Sequence, residues 1–324
     1  MNLKVFTTDW EMVEPFITAS EVTTAIKVVT VHLEKDGLLG RAETLGVDYL
    51  GENAQTITAD IETVRRQIEA GAGLKELQEL LPPGGARNGL DCALWDLEAK
   101  RAGRRIWELL NMDMKPVHTV FTLALGEARA MASKARDCRD MPHLKLKLNS
   151  EDTGDKIIAI RKARPDARIM IDANGSWSPE LLDKLGDLLA ANKIELLEQP
   201  LPMGQDEPLR GLKYPVPLCA DESCQSSADL ERVADCYSAI NIKLDKCGGL
   251  TDGLKILAWC KNHGKQVMVG NMLGSSLAMA PAMIIAQQAA LVDLDGPLWQ
   301  IGDAQPALRF EGALMQIPER ELWG

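Results

Sequence analysis

No run of lysines and arginines occurs anywhere in this chain. Its charge leans the other way: 36 basic against 47 acidic residues give a net charge of −11. Nucleic acid is therefore not an expected partner, because its phosphates would be repelled without a local basic patch. Histidine is scarce, with four residues scattered at 32, 118, 143 and 263, and the seven cysteines include no C-x-x-C pair. That excludes the usual zinc sites. The odd number of cysteines and their apolar surroundings suit free, buried thiols in a reducing cytoplasm.

Targeting signals are missing too. The first residues, MNLKVFTTDW, have neither the basic start nor the apolar stretch of a signal peptide. The most apolar segment, 275–292, carries Pro281, Gln287 and Gln288, so it reads as a buried helix and not a membrane span. There is no low-complexity linker, which implies that the parts of the chain pack closely. With 46% hydrophobic and 26% charged residues the balance is that of an ordinary globular protein. A length of 324 residues suggests roughly two domains. The expectation is a cytoplasmic protein with no membrane or nucleic-acid partner; a homo-oligomer is compatible with the sequence.

From residue 116 onward the sequence keeps a beat. Short runs rich in Val, Ile and Leu occupy 117–125, 143–148, 167–172, 193–198, 216–221, 239–244, 266–271 and 290–295. Stretches of helical period separate them: 127–139, 153–164, 179–191, 226–235, 250–263 and 275–289. Ser178-Pro179 starts the third helix well, with proline at the first helical position. Eight strand–helix units with nearly continuous apolar strands predict an α/β fold, a parallel (β/α)8 barrel of TIM type spanning 113–305. Residues 1–112 run differently, with strands (1–8, 22–34, 38–46) before helices (53–70, 74–81, 86–102), as in a separate α+β capping domain. The tail, 306–324, breaks the barrel rhythm and is expected to return to that first domain.

Several of the strands end in a carboxylate followed by turn formers: Asp172, Glu198, Asp221, and the pair Asp293 and Asp295. Any one of these alone reads as a solvated loop acid or a turn residue. Asp172, Glu198 and Asp221, however, close three successive units, spaced 26 and 23 residues apart. The C-terminal ends of barrel strands form the face on which active sites sit, so these three acids would converge. Three converging anions need a cation, and hard oxygen ligands at an open site suit Mg²⁺, with Mn²⁺ as a substitute.

The stretch HLKLKL, 143–148, alternates leucine with Lys145 and Lys147, which alone describes an amphipathic strand. The carboxylates alter that reading. Lys145 and Lys147 lie on the second strand and Lys243 on the sixth, opposite positions in a ring of eight. An ammonium would approach a metal-bound substrate from each side, as needed to move a proton from one face of a carbon to the other.

The motifs K-x-K at 145–147, IDANGSW at 171–177, ELLEQPL at 195–201, ADES at 220–223 and NIKLDKCGG at 241–249 closely resemble the enolase superfamily in its muconate-lactonizing branch. ARNGLDCALWDLEAKRAG, 86–103, looks like the helix that family places before its barrel, and is read here as core packing. The seventh strand, QVMVGN, lacks the histidine base of the mandelate-racemase type. Asp293-Leu-Asp295 resembles the D-x-D signature with which dipeptide epimerases bind the ammonium of the N-terminal residue. Carboxylates give a cation strong charge-assisted hydrogen bonds.

The resemblance implies an isomerase that inverts the α-carbon of the second residue of an L,X-dipeptide. Lys147 and Lys243 would exchange its α-proton, Lys145 would add fixed positive charge, and Asp172, Glu198 and Asp221 would hold the metal. It implies pocket roles for Thr122 and for the segment PFITASE, 15–21. In glutamate-selective members an arginine stands where this chain has Glu21. A carboxylate there either faces solvent or favours a neutral or cationic second residue. Two rivals stand beside this reading: a cycloisomerase or o-succinylbenzoate synthase on the same scaffold, and a metal-loaded barrel without activity.

Overall fold

The structure is a computed structural model describing residues 1–324. The chain opens with three antiparallel strands, β1 (Asn2–Ile17), β2 (Val22–Lys35) and β3 (Leu38–Thr44). β1 is twice the length that its apolar pattern suggests, because a register shift between Glu11 and Phe16 breaks the alternation midway. Helices α1 (Ala54–Ala70), α2 (Leu74–Leu80), α3 (Gly85–Ala102) and α4 (Ile106–Leu109) follow. Asn53 starts α1 by accepting from the backbone N–H groups of Gln55 and Thr56, while Thr56 returns a bond to the Asn53 N–H. Buried Ile57, Ile61, Val64 and Ile68 then give α1 one apolar face toward the sheet. α3 is buried on nearly all sides because it lies between this sheet and the barrel.

The run at 117–125 is two strands, not one: β4 (Val117–His118) and β5 (Phe121–Leu123). β5 begins the barrel, which continues through β6 (His143–Lys147), β7 (Arg168–Asp172), β8 (Ile194–Glu198), β9 (Leu218–Ala220), β10 (Ala239–Ile242), β11 (Gln266–Val269) and β12 (Leu291–Val292). Each strand pairs in parallel with the next. The Val120 N–H donates to the Val292 carbonyl at 2.8 Å and closes the ring. Helices α5 (Ala128–Asp137), α6 (Thr153–Ala163), α7 (Pro179–Ala191), α8 (Leu230–Val233), α10 (Leu250–Asn262) and α11 (Ser276–Ala286) cover the outside, and the short α9 (Leu244–Cys247) lies at the mouth just after β10. α8 is one turn where a longer helix is expected, and α9 is a turn that the strand pattern hides. Inside the ring, Val120, Met170, Leu196, Cys219, Ala239, Met268 and Leu291 form a closed apolar layer that floors the mouth.

After the barrel, β13 (Gln300–Ile301) pairs with β1, so the chain rejoins the cap sheet before residue 306. β14 (Phe310–Glu311) and β15 (Leu314–Met315) form a hairpin on β4. Trp323 then donates to the Cys92 carbonyl of α3, and Gly324 N–H donates to Asp96. All seven cysteines are free and six are buried. No helix is long and apolar enough to cross a membrane.

Candidate active site

Strand geometry alone delivers the first side chains. Lys145 and Lys147 are two apart on β6 and share its inward face, while Leu144 and Leu146 face the helices. Asp172 ends β7 and Glu198 ends β8; Asp221 and Lys243 follow the last residues of β9 and β10. The three acids are buried, and one oxygen of each lies within 4.8 Å of the others.

Four ammonium groups surround them. Lys145 Nζ lies 2.7 Å from Asp293 Oδ2, 2.8 Å from Glu198 Oε2 and 3.0 Å from Asp172 Oδ2. Lys147 Nζ donates to Asp172 Oδ2 at 2.7 Å and to Asn174 Oδ1 at 3.2 Å. Lys243 Nζ donates to Asp221 Oδ2 at 2.7 Å. Lys246, which the sequence reading did not single out, donates to Asp221 Oδ1 at 2.7 Å and to the carbonyls of Asp221, Cys224 and Asn241. Its signal was its place three residues after Lys243, one helical turn on.

The charges follow from this packing. Burial opposes ionisation of Asp172, but Lys147 and Lys145 overcome it and hold its carboxyl well below the usual range. Burial likewise opposes Asp221, and Lys243 and Lys246 outweigh it. Glu198 goes the other way: burial and Asp172 push it up to about 8. Burial alone would lower Lys145 and Lys243, yet Asp293 and Glu198 around the first, and Asp221 and Glu198 around the second, raise both. Glu198 Oε2 is buried with no aligned hydrogen-bond donor, while Asn241 holds Oε1 at 2.6 Å. Three buried carboxylates whose oxygens converge this closely fit a hard divalent cation.

The rest of the mouth is shared between the two lobes. Asp295 accepts from the Thr122 N–H at 2.8 Å and from Trp299 Nε1 at 3.2 Å, and burial together with Asp293 pushes it up to about 7. Asp293, Asp295 and Thr122 line one side of the pocket. Glu21, in the turn after β1, lines it from the cap, together with Asp48 and Tyr49. Burial and Asp48 push Glu21 up, against the pull of Lys147. Phe16 reaches over from β1 with its ring 6.0 Å from Lys147 Nζ, and packs edge-on against Trp299 at 4.7 Å. Phe16, Tyr49, Asn174 and Glu222 were not assigned to the site from sequence, although Phe16, Asn174 and Glu222 fall within motifs quoted above.

Two domain families match the chain: the mandelate racemase/muconate lactonizing enzyme N-terminal domain over residues 1–111, and the enolase C-terminal domain-like family over 127–321. An L-Ala-D/L-Glu epimerase of Escherichia coli (strain K12) is 39% identical over 95% of this chain and 97% of its own. An N-acetyl-D-glutamate racemase of a Pseudoalteromonas species is 38% identical over 92% and 95%. In fold, the chain superposes with a TM-score of 0.97 and 41% identity, over 99% of both chains, on an enolase-family crystal structure from Agrobacterium tumefaciens. That protein is described as homologous to dipeptide epimerases, with bound sodium and L-Ala-L-Glu. A Methylococcus capsulatus dipeptide epimerase complexed with Mg and L-Arg-D-Lys gives a TM-score of 0.90 at 26% identity, over 99% of this chain and 98% of its own.

The chain belongs to the enolase superfamily. Within it, the chain is an isomerase of the dipeptide-epimerase group.

Proposed function

We propose that the protein inverts the α-carbon of the second residue of an L,X-dipeptide, with Lys147 and Lys243 as the two bases. The carrying observation is the pair of lysines on the second and sixth barrel strands, each 2.7 Å from a different acid of one carboxylate cluster. An α-proton next to a carboxylate is barely acidic, since its loss builds a second negative charge on the substrate. Asp172, Glu198 and Asp221 would hold Mg²⁺, with Mn²⁺ as a substitute, and the bound ion supplies compensating charge for that step.

One lysine removes the proton from its face as the free amine, and the other, as ammonium, delivers a proton to the opposite face. Asp221 and Glu198 favour the ammonium form of Lys243, so it depends on what neutralises those acids before it can act as a base. Lys145 keeps a fixed positive charge between Asp172, Glu198 and Asp293. Asp293 and Asp295 take the α-ammonium of the first residue, and Thr122 orients Asp295 through its backbone N–H. Phe16 and Trp299 keep water from the lysine side of the mouth.

The second residue's side chain points to the cap. That wall carries Glu21 and Asp48 with no arginine among its lining residues, which favours a neutral or cationic side chain over glutamate. The experiment is a dipeptide panel in D₂O followed by mass spectrometry and chiral analysis. An epimerase incorporates one deuterium at the second α-carbon while scrambling its configuration. Absence of exchange across acidic, neutral and basic dipeptides would refute the reading and favour a cycloisomerase.

A further inference from the structure

Lys243 opens a short segment, 243–251, that the cap grips along its whole length. From the end of β3, the Thr44 hydroxyl (2.6 Å), the Gly46 N–H (2.9 Å) and the Leu45 N–H (3.0 Å) all donate to one oxygen, Asp245 Oδ1. From α3, Arg87 donates to the carbonyls of Cys247 (2.6 Å) and Gly248 (3.2 Å). Asp91 accepts from the Thr251 N–H at 3.0 Å. Gly248 and Gly249 have φ of 73° and 109°, and a Cβ on either would meet Arg87 or Asp91 at 2.4 or 2.5 Å. Only glycine allows α3 to come this close. Asp245, Arg87 and Asp91 are all buried.

The same turn faces the site on its other side. Lys243 and Lys246 flank Asp245 and both donate to Asp221. The cap residues that seize Asp245 run on within a few positions to Asp48 and Tyr49 in the pocket wall. One carboxylate thus stands between the lid's pocket-forming loop and the turn that carries a base. A hydrophobic contact would have stabilised the interface without fixing a direction. Three donors on one oxygen fix both position and orientation.

We propose that Asp245 is a positioning residue, clamped by the cap at Thr44–Gly46, that sets Lys243 against the substrate whenever the cap is docked. This rests on the two-base reading above. In that scheme each lysine serves one face, so misplacing Lys243 slows exchange from one epimer more than from the other. A general loss of stability would lower both together.

The test measures α-proton exchange in D₂O from each epimer separately, in the full-length protein with saturating Mg²⁺, at a temperature where every variant is folded. Asp245→Ala is expected to lower exchange from the epimer served by Lys243 by about tenfold or more relative to the other, the scale on which small misplacements act. Asp245→Asn, which can still accept from Leu45 and Gly46, should restore most of that ratio. Thr44→Val removes one donor with little change of shape, and should skew the ratio in the same direction should Asp245→Ala fail to fold. Lys243→Ala is the control. Equal losses from both epimers in Asp245→Ala and Thr44→Val, with a skewed Lys243→Ala, would overturn the clamp alone. An unskewed Lys243→Ala would overturn the two-base scheme and the clamp with it.

Discussion

Lys145 Nζ stands 2.7 Å from Asp293 Oδ2 and ties the second barrel strand to the end of the eighth. The other oxygen of Asp293 has only the Asn271 amide, at 3.5 Å. One half of this carboxylate is therefore held and the other is available to an incoming ammonium. Asp293→Asn should lower kcat/KM on dipeptides by about 10- to 100-fold, the scale of a hydrogen bond to a charged group. The loss should fall mainly on KM. Steady-state rates on an N-acetylated amino acid, which lacks that ammonium, should barely change. Equal losses on both substrates would remove Asp293 from this role.

Replacing either Lys147 or Lys243 with Ala should cut epimerization by about 10²- to 10⁴-fold, the range for a missing general acid–base. Mg²⁺ affinity by isothermal titration should survive, because the three acids remain. Full turnover in either variant would rule out a two-base exchange.

Glu21→Arg replaces a carboxylate at the cap wall with a cation. The ratio of kcat/KM for a dipeptide ending in Glu over one ending in Lys is expected to rise by about tenfold or more, as for a charge-assisted pair gained or lost in a pocket. An unchanged ratio across acidic, neutral and basic second residues would place this side chain outside the pocket.

Metal should bind the folded state in preference to the unfolded chain. Mg²⁺ at about 100 times its Kd is expected to add about 2.7 kcal/mol to unfolding free energy. Glu198→Gln should abolish most of that increment, and adding EDTA should leave the variant's melting temperature where it was. Metal-independent melting of the parent protein would argue against a site at these acids.

His143 is buried at the start of β6, and burial, with Arg168 next, pushes its pKa down from 6.5 to about 4. The folded protein thus binds fewer protons than the unfolded chain between those values. Stability is then lost as pH falls from about 6.5 and levels off below about 4, by about 3 kcal/mol at most. Glu43, raised to about 7 chiefly by burial, has the opposite sign and loses stability as pH rises from about 4.5 to 7. Urea midpoints across this window should flatten at the acid end in His143→Gln. They should rise near neutrality in Glu43→Gln relative to the parent.

Strand ends were the legible part of this molecule. Asp172, Glu198 and Lys243 could be placed because a barrel converts a repeat in sequence into a ring in space. Period alone could not show that 117–125 divides, since β4 and β5 carry the same apolar alternation and differ only in which partner they meet. Nor could it show that Asp293 lies beyond a strand of just two residues. Asp245 and Arg87 were invisible for a different reason. Each acts across a junction between distant segments, such as the 161 positions separating Arg87 from Gly248, and no local pattern encodes that meeting. Helix α3, read from sequence as packing, proved to be a gripping surface as well.

Cys92 on α3 and Cys247 in the turn that Arg87 holds are both free and buried, and burial raises both thiols. Neither should react with an alkylating reagent while the lobes are together. Their labelling rate would thus time how often the two halves of the protein part, and a bound substrate that bridges the halves should lengthen the interval.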